Sequence, residues 1–275
     1  MEFWKMTGAG NDFVLVDNRA LGASPDRLQK IARLVCRRRM SIGADGLMAV
    51  DSPLAGGDFR MLFFNADGSA GEMCGNGARC ICRYGWERGL AGDIQRVETT
   101  AGLVTGWRLG RNTYRVRLNN PTVLDPARPT GGGVCGYVEL GSPGLPHALV
   151  QVSGLAQLSR QALLPRGRAL RFDPAFPKGA NVNFYEILGP DHVALRTYER
   201  GVEDFTEACG TGSGSLAALL TVQGRVTGRE VRVENPGGTL LVDVEQDQGR
   251  VAGLYLTGPT DIVCKGEFPD ELLPD

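Results

Sequence analysis

The apolar positions of this chain fall mostly into short runs with strand spacing, interrupted at intervals by helical stripes. Phe13-Val-Leu-Val16 is a compact apolar run. Asp58-Phe-Arg-Met-Leu-Phe-Phe64 begins by alternating and ends apolar, closed by the turn signal Asn65-Ala-Asp-Gly68. Thr113-Tyr-Arg-Val-Arg-Leu118 and His192-Val-Ala-Leu-Arg-Thr-Tyr198 also alternate. Helical spacing appears at Leu28, Ile31, Ala32 and Val35, behind Ser24-Pro25, a capping serine and a proline suited to the first helical position. Two more helices follow from the same spacing. One runs from about Asn76 to Glu87, with Ala78, Ile81, Cys82 and Trp86 in register and Gly89 as its stop. The other runs from about Gly212 through Leu216, Ala217, Leu219 and Leu220 to Gly224.

The segments in front of those last two helices repeat one another. Glu72-Met-Cys74-Gly-Asn-Gly77 matches Glu207-Ala-Cys209-Gly-Thr-Gly212, and subtracting 74 from 209 gives an offset of 135, close to half of the 275 residues. Gly43-Ala-Asp45 and Gly179-Ala-Asn181 align at nearly the same offset, as do Val97-Glu98 and Val233-Glu234, and Pro121-Thr122 and Pro259-Thr260. Solenoid units are shorter, about 20–50 residues. The pattern reads as two copies of one domain, each delivering a cysteine at the mouth of a Gly-rich turn. The Pro- and Gly-rich stretch from Asn120 to Gly133 is the natural boundary, giving a first domain over residues 1–119 and a second over 120–261.

Composition narrows the partners. Hydrophobic residues make up 42% and charged residues 22%, as in a folded protein, and the net charge of −1 gives no footprint for nucleic acid or a membrane. Arg37, Arg38 and Arg39 follow a helical stretch and read as its solvated end. The first residues lack the apolar centre of a signal peptide, and no apolar run approaches the roughly 20 residues that span a bilayer. The expectation is a cytoplasmic protein. Seven cysteines, an odd number with no Cys-x-x-Cys pair, argue against a disulfide scaffold. Cys74, Cys80 and Cys82 have the wrong spacing for zinc, and His147 and His192 lie far apart, so no metal site is expected.

Each repeated cysteine precedes a helix, and that position has chemical consequences. A helix N-terminus carries unpaired N–H groups and a partial positive charge, which favours a thiolate and binds anions such as a carboxylate. Glycines let the backbone approach a ligand closely. Two such ends converging on one carboxylate would stabilise the charge it gains when its α-carbon loses a proton. With one thiol on each side of that carbon, a thiolate takes the proton from one face and a thiol returns one to the other, and no cofactor is needed. For a single cysteine, burial as a small hydrophobe would be the default reading; two matching Cys-Gly-x-Gly turns in a duplicated chain reverse it. Neither turn continues as a phosphate-binding loop, and Gly8-Ala-Gly10 and Gly210-Thr-Gly-Ser-Gly-Ser215 both miss the last glycine of the dinucleotide fingerprint.

Taken together, these motifs resemble the diaminopimelate epimerases, which invert an amino-acid α-carbon without pyridoxal phosphate. The resemblance covers essentially the whole chain. It rests on Lys5-Met-Thr-Gly-Ala-Gly-Asn-Asp-Phe13, Gly43-Ala-Asp-Gly46, Phe64-Asn-Ala-Asp-Gly68, Cys74-Gly-Asn-Gly-Ala-Arg79, Gly179-Ala-Asn181, Tyr198-Glu-Arg-Gly201 and Cys209-Gly-Thr-Gly212. It implies an α+β fold of two pseudo-symmetric domains, each a curved mixed sheet or barrel around a central helix, with the site in the cleft and residues 262–275 returning to the first domain. It implies Cys74 and Cys209 as the acid–base pair, and Gly75, Asn76, Gly210 and Thr211 as the holders of the reacting carboxylate. Asn11, Asn65, Asn181, Glu199 and Arg200 would bind the rest of the substrate, Arg200 as a planar grip on a second carboxylate. His147 and Glu199 match positions thought to tune the cysteines. The resemblance also implies a small amino-acid substrate, no cofactor, and a homodimer.

Two positions depart from the family pattern. Gly144-Leu-Pro-His147 has Leu145 where relatives often carry Asn, and Phe205 stands where they commonly carry Glu. The leading expectation is inversion of LL-diaminopimelate to the meso form. The same chemistry on another amino acid, such as histidine, is the nearest rival; an amino-acid-binding protein and a phenazine-type isomerase are more distant, the last because such enzymes use a carboxylate instead of the cysteine pair.

Overall fold

The computed structural model describes residues 1–71 and 74–273; Glu72 and Met73, which open the first copy of the cysteine motif, and the last two residues of the expected C-terminal return lie outside them. The chain divides into two compact units, residues 1–116 with 258–275, and residues 117–257.

The first unit runs β1 (Glu2–Gly8), β2 (Asn11–Asp17), α1 (Asn18–Leu21), α2 (Pro25–Val35), β3 (Gly46–Asp51), β4 (Phe59–Asn65), α3 (Gly75–Glu87), β5 (Ile94–Thr99), β6 (Gly102–Arg108) and β7 (Thr113–Arg117). Its pairings alternate in sense: β1 with β2 antiparallel, β2 with β3 parallel, β3 with β4 antiparallel, β4 with β5 parallel, then β5, β6 and β7 antiparallel.

The second unit runs β8 (Pro121–Thr130), β9 (Gly133–Leu140), β10 (Leu145–Gln151), α4 (Arg160–Arg171), β11 (Asn181–Gly189), β12 (His192–Glu199), β13 (Asp204–Thr206), α5 (Gly210–Val222), β14 (Val231–Asn235), β15 (Gly238–Asp247) and β16 (Arg250–Pro259). From β9 onward the senses repeat those of the first unit: β9–β10 antiparallel, β10–β11 parallel, β11–β12 antiparallel, β12–β14 parallel, β14–β15 and β15–β16 antiparallel. The match extends to the edge, because β8 pairs antiparallel with β9 as β17 (Asp261–Glu267) pairs with β1. The duplication visible in the cysteine loops is thus a duplication of topology, and each unit is a curved mixed sheet with α2 or α4 on one face and α3 or α5 on the other.

The cores explain these placements. Ser24 caps α2, accepting from the Arg27 N–H at 3.3 Å, and Leu28, Ile31, Ala32 and Val35 pack on Val14, Val16, Leu47 and Ala49. Phe13 and Leu15 point to the opposite face of β2, so the apolar run is buried on both sides, as strands between two layers are. In α3 every residue from Gly75 to Gly85 is buried, and in α5 nearly every residue from Gly210 to Thr221 is. A helix enclosed on all sides reads as apolar or small all round; α5 does, whereas α3 also encloses Asn76, Arg79 and Arg83. Gly77 allows this closeness in α3, since a Cβ there would run into the Met48 side chain.

The Pro- and Gly-rich stretch after Asn120 is a strand. Proline lacks the N–H of a ladder, but among the described residues β8 pairs with β9 alone and absorbs its prolines through register shifts at Pro121/Val123 and Asp125/Arg128. Ile81, fully buried in α3, gives a test of the enclosed helix: Ile81→Ala should lower unfolding stability by about 2–5 kcal/mol in a urea titration, and a loss near zero would contradict the packing described.

Candidate active site

Both helices begin at a cysteine. Cys74 is the N-cap of α3 and Cys209 the N-cap of α5, each with extended backbone (φ −122°, ψ 118° and φ −119°, ψ 107°). Both start two residues or so before the glycine-poor part of the pattern, because the extended cysteine, and not the propensity of the Gly-rich turn, sets where the helix begins. The Cys209 sulfur accepts the Gly212 N–H at 3.3 Å and lies 3.5 Å from the Thr211 hydroxyl. Its carbonyl accepts from the Ser213 N–H and hydroxyl, both at 2.9 Å. Gly212 is required by contact, since a Cβ would meet the Asn183 side chain and the Cys209 sulfur. Cys74 is half-buried, and the Ala78 N–H donates to its carbonyl at 2.7 Å. Gly75 and Gly210 are the first residues of their helices, followed by Asn76 and Thr211.

In the first unit, Asn76 ties the helix start to the sheet. Its side-chain amide donates to Asn11 Oδ1 at 2.7 Å, and Asn11 Nδ2 donates to Asp45 Oδ2 at 3.0 Å. Behind them Arg38 spans Asp12 (2.6 Å) and Asp45 (2.9 Å), and the buried Lys5 pairs with Asp12 at 2.7 Å and donates to the Gly43 carbonyl. Burial pushes the Asp12 carboxyl up, yet hydrogen bonds from Arg38 and Lys5 outweigh it and hold the group below the ordinary range. This network accounts for the otherwise unexplained charged residues of the Lys5–Phe13 and Gly43–Gly46 motifs. Asn65 ends β4 opposite Gly46, with its amide donating to the Ser69 hydroxyl at 2.9 Å, so it serves the turn as well as facing the strand ends.

In the second unit, neighbouring strand ends gather four of the expected residues. His147 on β10 is in register with Asn181 on β11, and Val182 pairs with Tyr198, one residue before Glu199. Asn181 donates to the Pro146 carbonyl at 3.3 Å and accepts the Arg200 N–H at 2.8 Å. Arg200 Nη1 donates to the Lys178 carbonyl at 3.1 Å, and Glu199 accepts from the Thr206 hydroxyl at 2.9 Å. His147 is fully buried, with Nδ1 3.2 Å from Asn183 Nδ2, and among the described residues its Nε2 has no hydrogen-bond partner. Burial, reinforced by the Arg200 charge, pushes its pKa down to about 3, so the ring is neutral at ordinary pH. Asn183 was not singled out from the sequence, yet it touches His147, Thr197 (2.9 Å) and the Gly212 turn. Phe205 packs edge-on to Tyr198 (5.7 Å between ring centres) and lines a cavity of about 460 Å³ with Arg160, Leu163, Arg196, Thr206, Glu207 and Pro236. No helix among the described residues is long and apolar enough to cross a membrane.

The neutral His147 gives a signed pH prediction. Unfolding restores a side chain that binds a proton below about 6.5, whereas the folded one resists it down to about 3, so the unfolded state holds the extra proton in that window and stability falls on acidification. His147→Gln should show a shallower fall between pH 6.5 and 3 than wild type in parallel thermal melts; equal slopes would contradict the buried neutral ring.

Comparison with known proteins agrees over the whole chain. The profile described as diaminopimelate epimerase matches residues 3–119 and 141–263. Proteins named diaminopimelate epimerase from Aquifex aeolicus and Desulforudis audaxviator are 37% and 42% identical to this chain, the first covering 99% of both chains and the second 98% of this chain and 99% of the relative. Among solved structures, a probable proline racemase from Agrobacterium radiobacter superposes with a TM-score of 0.71 at 17% identity, covering 98% of this chain and 93% of that one. A phenazine biosynthesis family protein from Enterococcus faecalis gives 0.70 at 12% identity, covering 98% and 100%. At those identities the likeness is one of fold.

Proposed function

The chain belongs to the diaminopimelate epimerase family, and from that premise we propose how its own residues carry the reaction. The protein is an isomerase that converts LL-2,6-diaminopimelate to the meso isomer, a step of lysine and peptidoglycan-precursor synthesis. Cys74 and Cys209 are the acid–base pair. One, as thiolate, removes the α-proton from one face; the other, as thiol, delivers its proton to the opposite face, and the C–H bond broken on one side is replaced by one formed on the other. The roles exchange with substrate stereochemistry.

The observation that supports this reading most directly is that the two cysteines stand at the N-cap positions of equivalent, largely buried helices of two topologically matched units. The N–H groups of those first turns, at Gly75 and Asn76 and at Gly210 and Thr211, suit the reacting carboxylate as charge builds on it. Arg200, held through its N–H by Asn181 and through its guanidinium by the Lys178 carbonyl, keeps donors for a distal carboxylate, with Asn11, Asn65 and Glu199 completing the polar lining. His147 and Glu199 adjust the proton affinity of the thiols. Leu145 supplies no side-chain hydrogen bond, so distal recognition rests on Arg200 and backbone groups. The reading further takes the protein as a cytoplasmic homodimer, without nucleic-acid or membrane partners.

Cys74→Ala and Cys209→Ala should each lower inversion of LL-diaminopimelate by about 10²- to 10⁴-fold or more, with substrate binding retained in calorimetry; wild-type turnover in either variant sinks the assignment. Arg200→Met should cost about 1.5–3 kcal/mol of kcat/KM for diaminopimelate. A panel including ornithine, histidine and glutamate tests the substrate, since turnover confined to an amino acid with one carboxylate leaves Arg200 without its role.

A further inference from the structure

In the first unit a line of hydrogen bonds runs from a buried cation to a carboxylate at the strand ends. Arg79 of α3 is fully buried, and among the described residues no carboxylate pairs with it. Its Nη1 donates to the Gly75 carbonyl at 3.3 Å and its Nη2 to Asn76 Oδ1 at 3.0 Å. Asn76, itself fully buried, passes the direction on, with Nδ2 donating to Asn11 Oδ1 at 2.7 Å. Asn11 Nδ2 then donates to Asp45 Oδ2 at 3.0 Å, and the other Asp45 oxygen is held by Arg38 at 2.9 Å. A guanidinium offers only donors and a carboxylate only acceptors. Each end therefore selects the same orientation of both amides, oxygen toward Arg79 and nitrogen toward Asp45.

The second unit builds the same helix start without this line. With the cysteines in correspondence, Arg79 answers to Gly214 and Asn76 to Thr211, and the match of Gly43–Asp45 with Gly179–Asn181 sets Asp45 against Asn181. The parallel pairs Phe13–Gly46 and Ala148–Val182 then put Asn11 against Pro146. Nothing like Arg79 fits at Gly214, where even a Cβ would meet Leu118 and Leu254. An enclosed helix thus starts at an extended cysteine with neither a buried cation nor a pair of amides. Burying a cation among neutral acceptors is costly, and in the first unit what it secures is the direction of the amides. The line surfaces at Asn11, which is half-buried.

We propose that Arg79, acting through Asn76, and Asp45 are positioning residues that lock the Asn11 amide so that it meets the substrate as a hydrogen-bond donor. The proposal rests on the reading of Asn11 as a substrate contact and specifies which atom it offers. Asn11 Oδ1 is taken up by Asn76 and one hydrogen of Nδ2 by Asp45, which among the described residues leaves the second hydrogen of Nδ2 over. That N–H suits a carboxylate oxygen, whereas a reversed amide would set its own oxygen against it. Arg79 has no exposed surface with which to touch a ligand, so its influence passes through Asn76.

The experiment reverses the line in the full-length protein. Asn76→Asp puts an acceptor opposite Asn11 Oδ1, which turns the Asn11 amide over and sets its oxygen against Asp45. Adding Asp45→Asn supplies the missing donor, so the double variant matches donor to acceptor at each link with Asn11 reversed. The Asp12 N–H, which donates to Asp45 Oδ2 at 3.2 Å, is affected equally in both backgrounds. Asp45→Asn should therefore lower the melting temperature of wild type by about 2 °C or more and raise that of Asn76→Asp; a lowering in both backgrounds overturns the proposal. If Asn76→Asp alone does not fold, a folded double variant supports the line and an unfolded one overturns it. In calorimetry the folded double variant should bind LL-diaminopimelate about tenfold or more weakly than wild type, and wild-type affinity overturns the proposal. Because either end alone holds the amides, Arg79→Met should weaken binding by a larger factor in the Asp45→Asn background than in wild type, and equal factors overturn the role given to Arg79. Should Arg79→Met fail to fold, the Asp45→Asn comparisons decide. Melting needs no substrate, so a wild type that does not bind diaminopimelate defeats the functional reading while the melting comparison still decides the line of bonds.

Discussion

A helix enclosed on every side must still satisfy the N–H groups of its first turn, because no water reaches them from the flanks. In α3 and α5 that turn is where the chain opens, and it opens at a cysteine. The enclosure and the reactivity are one arrangement. Small residues let the sheet pack closely on each helix, the glycines after each cysteine leave Asn76 or Thr211 as the side chain between them, and the result is a cluster of donors with a sulfur at its rim. The parallel β4–β5 and β12–β14 pairings bracket these helices in the two units, so the topology itself dictates that each helix starts at the same end of its sheet as the strand termini bearing Asn65 or Glu199.

Around that shared frame the units diverge. The first supports its helix start with an extended charged network, Lys5, Asp12, Arg38 and Asp45, reached through Asn11 and Asn76. The second uses neutral and aromatic neighbours: Asn181, Asn183 and Thr197 near His147, with Phe205 against Tyr198. It also presents Arg200 at a strand end. Substitution at Leu145 and Phe205 falls in the second unit, where distal recognition is assigned, and leaves both helix starts untouched.

Much of this was legible in the sequence because the strongest signals are local. Ser24-Pro25 and the stripe from Leu28 to Val35 give α2 its true span, since a cap and one apolar face suffice to define it. The repeated cysteine motif revealed the duplication, and the cysteines do stand at helix starts. What escaped was set by tertiary context. Both central helices begin earlier than their apolar spacing indicates, at Gly75 and Gly210, because glycine-rich turns have poor helical propensity and only the extended cysteine fixes the start. Strand β8 was hidden by its prolines, which an edge position tolerates. Helix α4 was hidden by Pro165 and a run of arginines, though Ser159 caps it and Leu163 and Leu170 bury. Arg79 stood inside the cysteine motif, and its full burial depends on long-range enclosure that spacing does not report.

The central claim is that two different groups serve the two faces of the α-carbon. The most direct measurement is the fate of deuterium at early times in deuterated water with LL-diaminopimelate, before the product returns. The two-thiol account predicts meso product carrying solvent deuterium at the inverted carbon while the unreacted LL substrate keeps its proton. Deuterium entering the recovered LL substrate as fast as the product forms, or meso product that retains the original proton, would contradict it and point to a single base working on both faces.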